Sequence, residues 1–155
     1  MAEKNFLRLD KVKQFGHYES AVSADSELLA GQFVSLGEVI DTAEGEEVSV
    51  KKATGIKDAD ALIAPVYLDK GYPDYDITKD SIKAGKPARA YVFEKGDMVS
   101  INEELAKGLS KGDFVAPGDN GLGFKAGTGR EDSIAQVIDK NYLEGVGNLV
   151  VVRFL

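Results

Sequence analysis

Glycine and proline punctuate this chain so often that long helices have little room. Seventeen Gly and four Pro divide 155 residues into apolar runs mostly five to eight residues long. Runs of that length between turn residues fit strands of a sandwich or barrel better than alternating strand–helix units. The expected strands are Gln32–Leu36, Glu47–Lys51, Leu62–Leu68, Ala88–Glu94, Met98–Ile101, Asp113–Ala116, Ser133–Asp139 and Asn148–Phe154. In the last, Val150, Val152 and Phe154 alternate with Val151 and Arg153, the period of a half-buried strand. The last two segments flank Lys140–Gly147 and read as a closing antiparallel hairpin. Helix is confined to a capped turn at Asn102–Gly108 and a single turn near Asp58–Leu62.

The fold class expected is therefore mainly β: a small β-barrel, β-tulip-like or sandwich domain with short helical turns and an extended N-terminal arm. Residues 1–25 are assigned to the arm and 26–155 to one β-rich domain. An internal echo divides that domain further. Leu28-x-x-Gly31-Gln-Phe33-Val34-x-x-Gly37 matches Leu109-x-x-Gly112-Asp-Phe114-Val115-x-x-Gly118, and Lys95-Gly-Asp-Met-Val99 recurs as Lys111-Gly-Asp-Phe-Val115. A glycine turn feeding an apolar pair into a strand is the shared physical content. Two related lobes follow, about 26–55 and 86–155, with an insertion at about 56–85.

Charge is unevenly placed. Residues 1–16 carry Lys4, Arg8, Lys11 and Lys13 against Glu3 and Asp10, and residues 17–50 carry eight acids with no Lys or Arg. The remainder is balanced, 15 basic against 16 acidic, within a net charge of −7. An acidic chain without a basic face is not expected to bind nucleic acid. A basic arm beside an acidic belt suits contact between copies or with a larger shell, so Lys4, Arg8, Lys11 and Lys13 are the expected partner-binding residues. A solvated face kept for solubility is the alternative. No apolar stretch reaches the roughly 20 residues of a membrane-spanning helix, and the first residues lack a signal-peptide apolar block. The chain is expected in the cytoplasm, away from membranes.

Reactive side chains are few. Cysteine is absent and histidine occurs once, at His17, so no thiolate site or Ser-His-Asp set is expected within one copy. Asp58/Asp60, Asp74/Asp76, Glu103/Glu104 and Glu131/Asp132 are paired carboxylates, but neither Asp-x-Asp continues into a calcium loop. All four are expected in turns. The run from Gly121 to Arg130 is rich in glycine without the strand-to-helix context of a phosphate loop, and reads as a mobile hairpin tip. Lys125 and Arg130 leave an anion site there as the alternative reading. The expectation is a non-enzymatic binding protein without metal or cofactor.

The cadence Arg89–Ile101, Leu109–Val115, Ser133–Ile138 and Asn148–Leu155 resembles the small head-decoration, or cement, proteins of tailed bacteriophages. The resemblance covers about the last 70 residues together with the echo at 28–37. Its motifs are glycine turns and strand patterns without a signature residue. The segment Ile56–Ala84 is additional to the smallest such proteins. The resemblance implies a β-barrel or β-tulip subunit on the outer surface of an icosahedral virion, bound to the major capsid protein. It also implies a homotrimer at threefold positions, and an N-terminal arm that stabilises the shell. A phage tail or head–tail connector subunit is the alternative, and a small acid-dependent enzyme a more distant one.

Overall fold

The computed structural model describes residues 4–13, 16–42, 45–64 and 76–155. Its architecture is mainly β, a closed five-stranded barrel packed against a six-stranded antiparallel sheet. The barrel is formed by β2 (His17–Val22), β3 (Phe33–Thr42), β4 (Gly45–Lys52), β5 (Ala61–Ile63) and β6 (Pro87–Val92), ordered β2-β4-β3-β5-β6. The sheet uses β1 (Leu7–Lys11), β7 (Met98–Asn102), β8 (Phe114–Pro117), β9 (Phe124–Ala126), β10 (Ala135–Leu143) and β11 (Gly147–Phe154), ordered β1-β7-β11-β10-β8-β9.

Each layer follows from side-chain size and alternation. Five strands close a narrow barrel, and its lumen is filled by small or branched residues: Ala21, Val34, Val50, Ala61, Ile63, Ala88 and Ala90, with Leu28 plugging it. In β11 the alternation expected from sequence places Val150, Val152 and Phe154 in the main core. There they meet Phe33 and Leu62 from the barrel and Leu7, Val99, Ile101 and Val137 from the sheet. An aromatic cluster welds the layers. The Phe33 ring stands edge-on to Phe124 at 5.4 Å and to Phe93 at 5.7 Å, while Phe93 stacks on Phe154 at 4.4 Å. Such pairs contribute about 0.5–1.5 kcal/mol each beyond the apolar area they bury.

The echoed glycines share one turn. Asp97 N–H donates to the Glu94 carbonyl (3.1 Å) and Asp113 N–H to the Ser110 carbonyl (3.0 Å). Gly96 and Gly112, third in each turn, have φ of +93° and +96°. That combination marks a type II turn, where a side chain at the third position would be strained. Each aspartate carboxylate also accepts from the first residue's N–H at 2.8 Å. Strands β7 and β8 start two residues after these glycines. Gly31 takes the same turn into β3. The long echo thus joins β3 of the barrel to β8 of the sheet. The layers themselves run 17–92 and 98–154, with β1 added to the sheet, rather than 26–55 and 86–155.

Three expectations are corrected. The described parts of 1–25 are not an extended arm: β1 pairs antiparallel with β7, and β2 pairs with both β4 and β6. Leu7 is fully buried, because its side chain completes the core beside Ile101. The described parts of 56–85 are not an appended insertion, since they supply β5 and a bridge from Ile82 to Leu28. Residues 65–68 of the expected strand Leu62–Leu68 lie outside the described residues. Finally, Asn102–Gly108 forms only a 3-10 turn at Glu103–Leu105, because the Asn102 side chain is engaged elsewhere and does not cap it.

Candidate interaction surfaces

The four basic residues expected to meet a partner lie along the β1 edge, and three are already engaged within the chain. Lys4 Nζ donates to the Val146 carbonyl (2.6 Å) and pairs with Glu104 (3.1 Å). Arg8 Nε pairs with Asp10 (2.5 Å) and its Nη2 donates to Ser100 Oγ at 3.3 Å. The Ser100 hydroxyl in turn donates to Asp10. Lys13 lies 3.5 Å from Glu94, and Lys11 is exposed. A register shift between Leu9 and Lys11 marks a bulge at Asp10. Bulge and lysine together blunt this open edge against strand pairing.

Behind the edge, two buried amides anchor residues 4–6. Asn102 donates to the Lys4 carbonyl (2.9 Å) and to Glu104 (3.0 Å), and its oxygen accepts from Phe6 N–H at 2.9 Å. Asn5 donates to the carbonyls of Thr78 and Asp80 at 3.1 Å and accepts from Ala30 N–H. Phe6 thereby seats against Val146 and Leu149, forming a small third apolar cluster on the outer face of the sheet. Partial burial pushes the Glu104 carboxyl up, yet its own N–H, the Asn102 amide and Lys4 outweigh this and hold it below its ordinary value.

Asp58, Asp76 and Asp132 close local turns, as expected, whereas Asp60 and Glu103 reach Leu36 and Asn148 on other strands. Asp58 accepts from Thr54 N–H, Thr54 Oγ1 and Gly55 N–H, each within 2.9–3.1 Å. The Thr54 N–H bond is the largest influence lowering its pKa. Asp60 accepts from Leu36 N–H (2.9 Å), and Asp132 from Thr128 Oγ1 (3.1 Å). Asp76 caps a 3-10 turn through Thr78 Oγ1 (2.6 Å) and N–H (2.9 Å), which lower its pKa in that order against its burial. Asp74 lies outside the described residues. Among the described residues no group of three or more His, Asp or Glu is arranged to hold a metal ion. His17 stands at the surface, 2.5 Å from Glu19. Tyr91 is buried and hydrogen-bonded to Asp97; burial first, then that bond, holds its hydroxyl protonated.

The first part of the glycine-rich run, residues 121–124, is a packed seam rather than a hairpin tip, while Lys125, Ala126, Thr128 and Arg130 are exposed. Gly121, Gly123 and Phe124 are buried. A Cβ on Gly121 would sit 2.7 Å from the Phe33 carbonyl oxygen and 2.8 Å from that of Ala53, and one on Gly123 would strike the Leu105 carbonyl. Gln32, from the barrel, crosses this seam and donates to the carbonyls of Asn120 (2.6 Å) and Phe33 (3.0 Å). Beside it runs a groove of about 600 Å³ walled by Leu29, Leu105, Leu122 and Phe124. Lys125 lies on its rim, paired with Asp119 at 3.4 Å. Sequence reasoning missed this groove. Its one signal was the conformationally demanding glycine cluster.

The opposite barrel end is acidic. Glu38 and Glu46 are exposed and Glu47 half-buried on the β3–β4 hairpin, and between them Val39 is 66% exposed. Val39 is a β-branched residue left in solvent beside carboxylates. No protein-family model matches the chain, and no curated protein matches it.

Proposed function

We propose that this chain is a structural subunit that binds the outer surface of an icosahedral viral shell and stabilises it, in the manner of a capsid decoration protein. The observation that carries this reading is the segregation of charge on a rigid β scaffold. Carboxylates gather at one barrel end around exposed Val39, while Lys4, Arg8, Lys11 and Lys13 follow the β1 edge. Rigid, oppositely charged faces favour surface association, because complementary fields steer and register partners without ordering flexible segments. The cadence behind the phage resemblance supports the same reading, since its four segments fall on β6, β7, β8, β10 and β11 in order.

The partner on this reading is the major capsid protein, with self-association between copies, and the location is the virion surface. Lys11 is the basic residue best placed to contribute, being exposed on the edge with no ion pair among the described residues. Lys4 and Arg8 act chiefly through the fold. The test is co-sedimentation of the purified chain with shells of the major capsid protein from the same source. Saturable binding that weakens with salt supports the reading. Shells that sediment without the chain at micromolar concentrations contradict it, and attachment to tails instead selects the connector alternative.

A further inference from the structure

Asn120 is the only described residue other than glycine with a positive φ (56°), and Gly121 follows it. The other asparagines, Asn5, Asn102, Asn141 and Asn148, precede Phe, Glu, Tyr and Leu. An Asn-Gly pair is the linkage most open to deamidation, because glycine leaves the following amide nitrogen unshielded. In that reaction the Gly121 nitrogen gives its proton to a solvent base and attacks Asn120 Cγ. An N–Cγ bond forms, the Cγ–Nδ2 bond breaks, and ammonia departs from a five-membered imide. One water then opens either imide C–N bond, giving aspartate or iso-aspartate, in which the main chain runs through Cγ.

The closed seam holds this pair unreactive. At ψ of 24° the Asn120 Cβ stands nearly opposite the Gly121 nitrogen across the Cα–C bond, whereas ring closure needs the two eclipsed. The Gly121 N–H donates to the Gly118 carbonyl (2.8 Å), which opposes its deprotonation. Gln32, 2% exposed, grips the Asn120 carbonyl through Nε2 at 2.6 Å. Gly121 is wedged as well, since a Cβ there would lie within 2.7–2.9 Å of the Phe33 and Ala53 carbonyl oxygens and Gln32 Nε2. Turning the Asn120–Gly121 peptide therefore requires residues 118–123 to leave the barrel, although Asn120 itself is exposed to water.

We propose that Asn120 is a gated deamidation site, silent while the seam is closed and converted once residues 118–123 lift from Gln32, after which the iso-aspartyl form cannot reseat. Iso-aspartate adds a main-chain carbon directly before Gly121, where the carbonyls of Phe33 and Ala53 leave no room. Aspartate tolerates the left-handed region and reseats, but it adds a charge next to Asp119. The seam thus carries a permanent mark of its own opening. This chemistry involves no partner and stands apart from the decoration reading.

Tandem mass spectrometry of the full chain, incubated at mildly alkaline pH natively and in concentrated urea, tests this. The unfolded chain is expected to deamidate first at Asn120. The native chain should react at least about a hundredfold more slowly there, since its rate follows the open fraction. Sub-denaturing urea should raise the native rate by favouring the open seam. Gln32→Ala, checked for folding by circular dichroism, should raise it about tenfold through the lost grip on the carbonyl, with no change in concentrated urea. Should that variant not fold, the urea series alone decides. The refolded iso-aspartyl chain should lose amide-exchange protection at Gly123, whose N–H donates to the Gly31 carbonyl, and keep it at Val152. A native chain that deamidates as fast as the unfolded one overturns the proposal. So does faster reaction at another asparagine in concentrated urea, a native rate that sub-denaturing urea or a folded Gln32→Ala leaves unchanged, or an iso-aspartyl form that protects Gly123.

Discussion

Replacing Asn102 by alanine isolates the anchoring of residues 4–6. Asn102 is fully buried, and its amide makes three hydrogen bonds of 2.9–3.0 Å, to the Lys4 carbonyl, Glu104 and Phe6 N–H. Each such bond contributes about 1 kcal/mol net, and removing one partner leaves others desolvated at a further cost. Asn102→Ala is therefore expected to destabilise the fold by about 3–4 kcal/mol. The effect should also be local. Freed of the amide, Phe6 no longer seats on Val146 and Leu149, while the pairing of β7 with β11 is untouched. Denaturant unfolding measures the total, and amide hydrogen exchange locates it. The amide of Phe6 should lose protection, those of Val150 and Val152 should retain it relative to global unfolding. A loss of stability below about 1 kcal/mol would show that the N-terminal residues are held weakly, as in a true arm.

Two further predictions concern the seam and the turns. Gly123→Ala combines a φ of +67° with a collision at the Leu105 carbonyl, and should cost about 2–4 kcal/mol in thermal or denaturant unfolding; a near-neutral result would mean the seam is loosely packed. Asp58, Asp76 and Glu104 all have folded-state values lowered from 3.8, 3.8 and 4.5. Lowered values contribute stability that is fully present above those unfolded values and lost as pH falls through the folded ones. The melting temperature should therefore hold down to about pH 5 and fall below pH 4, and Asp58→Asn should flatten that acid limb. An acid limb identical in the variant would remove Asp58 from the account.

The strands of the second half were legible because their signals are local. Gly96 and Gly112 mark type II turns, and the alternation of Val150, Val152 and Phe154 marks the face in the main core, although Leu149 and Val151 on the other face are buried as well. β1 was missed although Leu7 and Leu9 alternate with Arg8 and Asp10, because four basic residues drew the segment into an arm. The charges of Lys4 and Lys13 are answered at long range by Glu104 and Glu94, which no local pattern reveals, while Arg8 pairs locally with Asp10. β2 offered less, since only Ala21 and Val22 of His17–Val22 are fully buried. The groove depends on Gln32 meeting Asn120 across 88 residues, a contact set by tertiary packing alone. Asp58 and Asp76 were readable as turn residues because aspartate reaches N–H groups only a few residues away, whereas the long-range partners of Asp60, Glu103 and Glu104 leave no local signal.

Electron cryomicroscopy of shells incubated with the purified chain tests the central claim most directly. The account predicts ordered density at symmetry-related positions on the outer surface, each fitting the barrel-and-sheet unit with residues 4–11 inside its own fold. Bare shells, or density confined to tails, would contradict it.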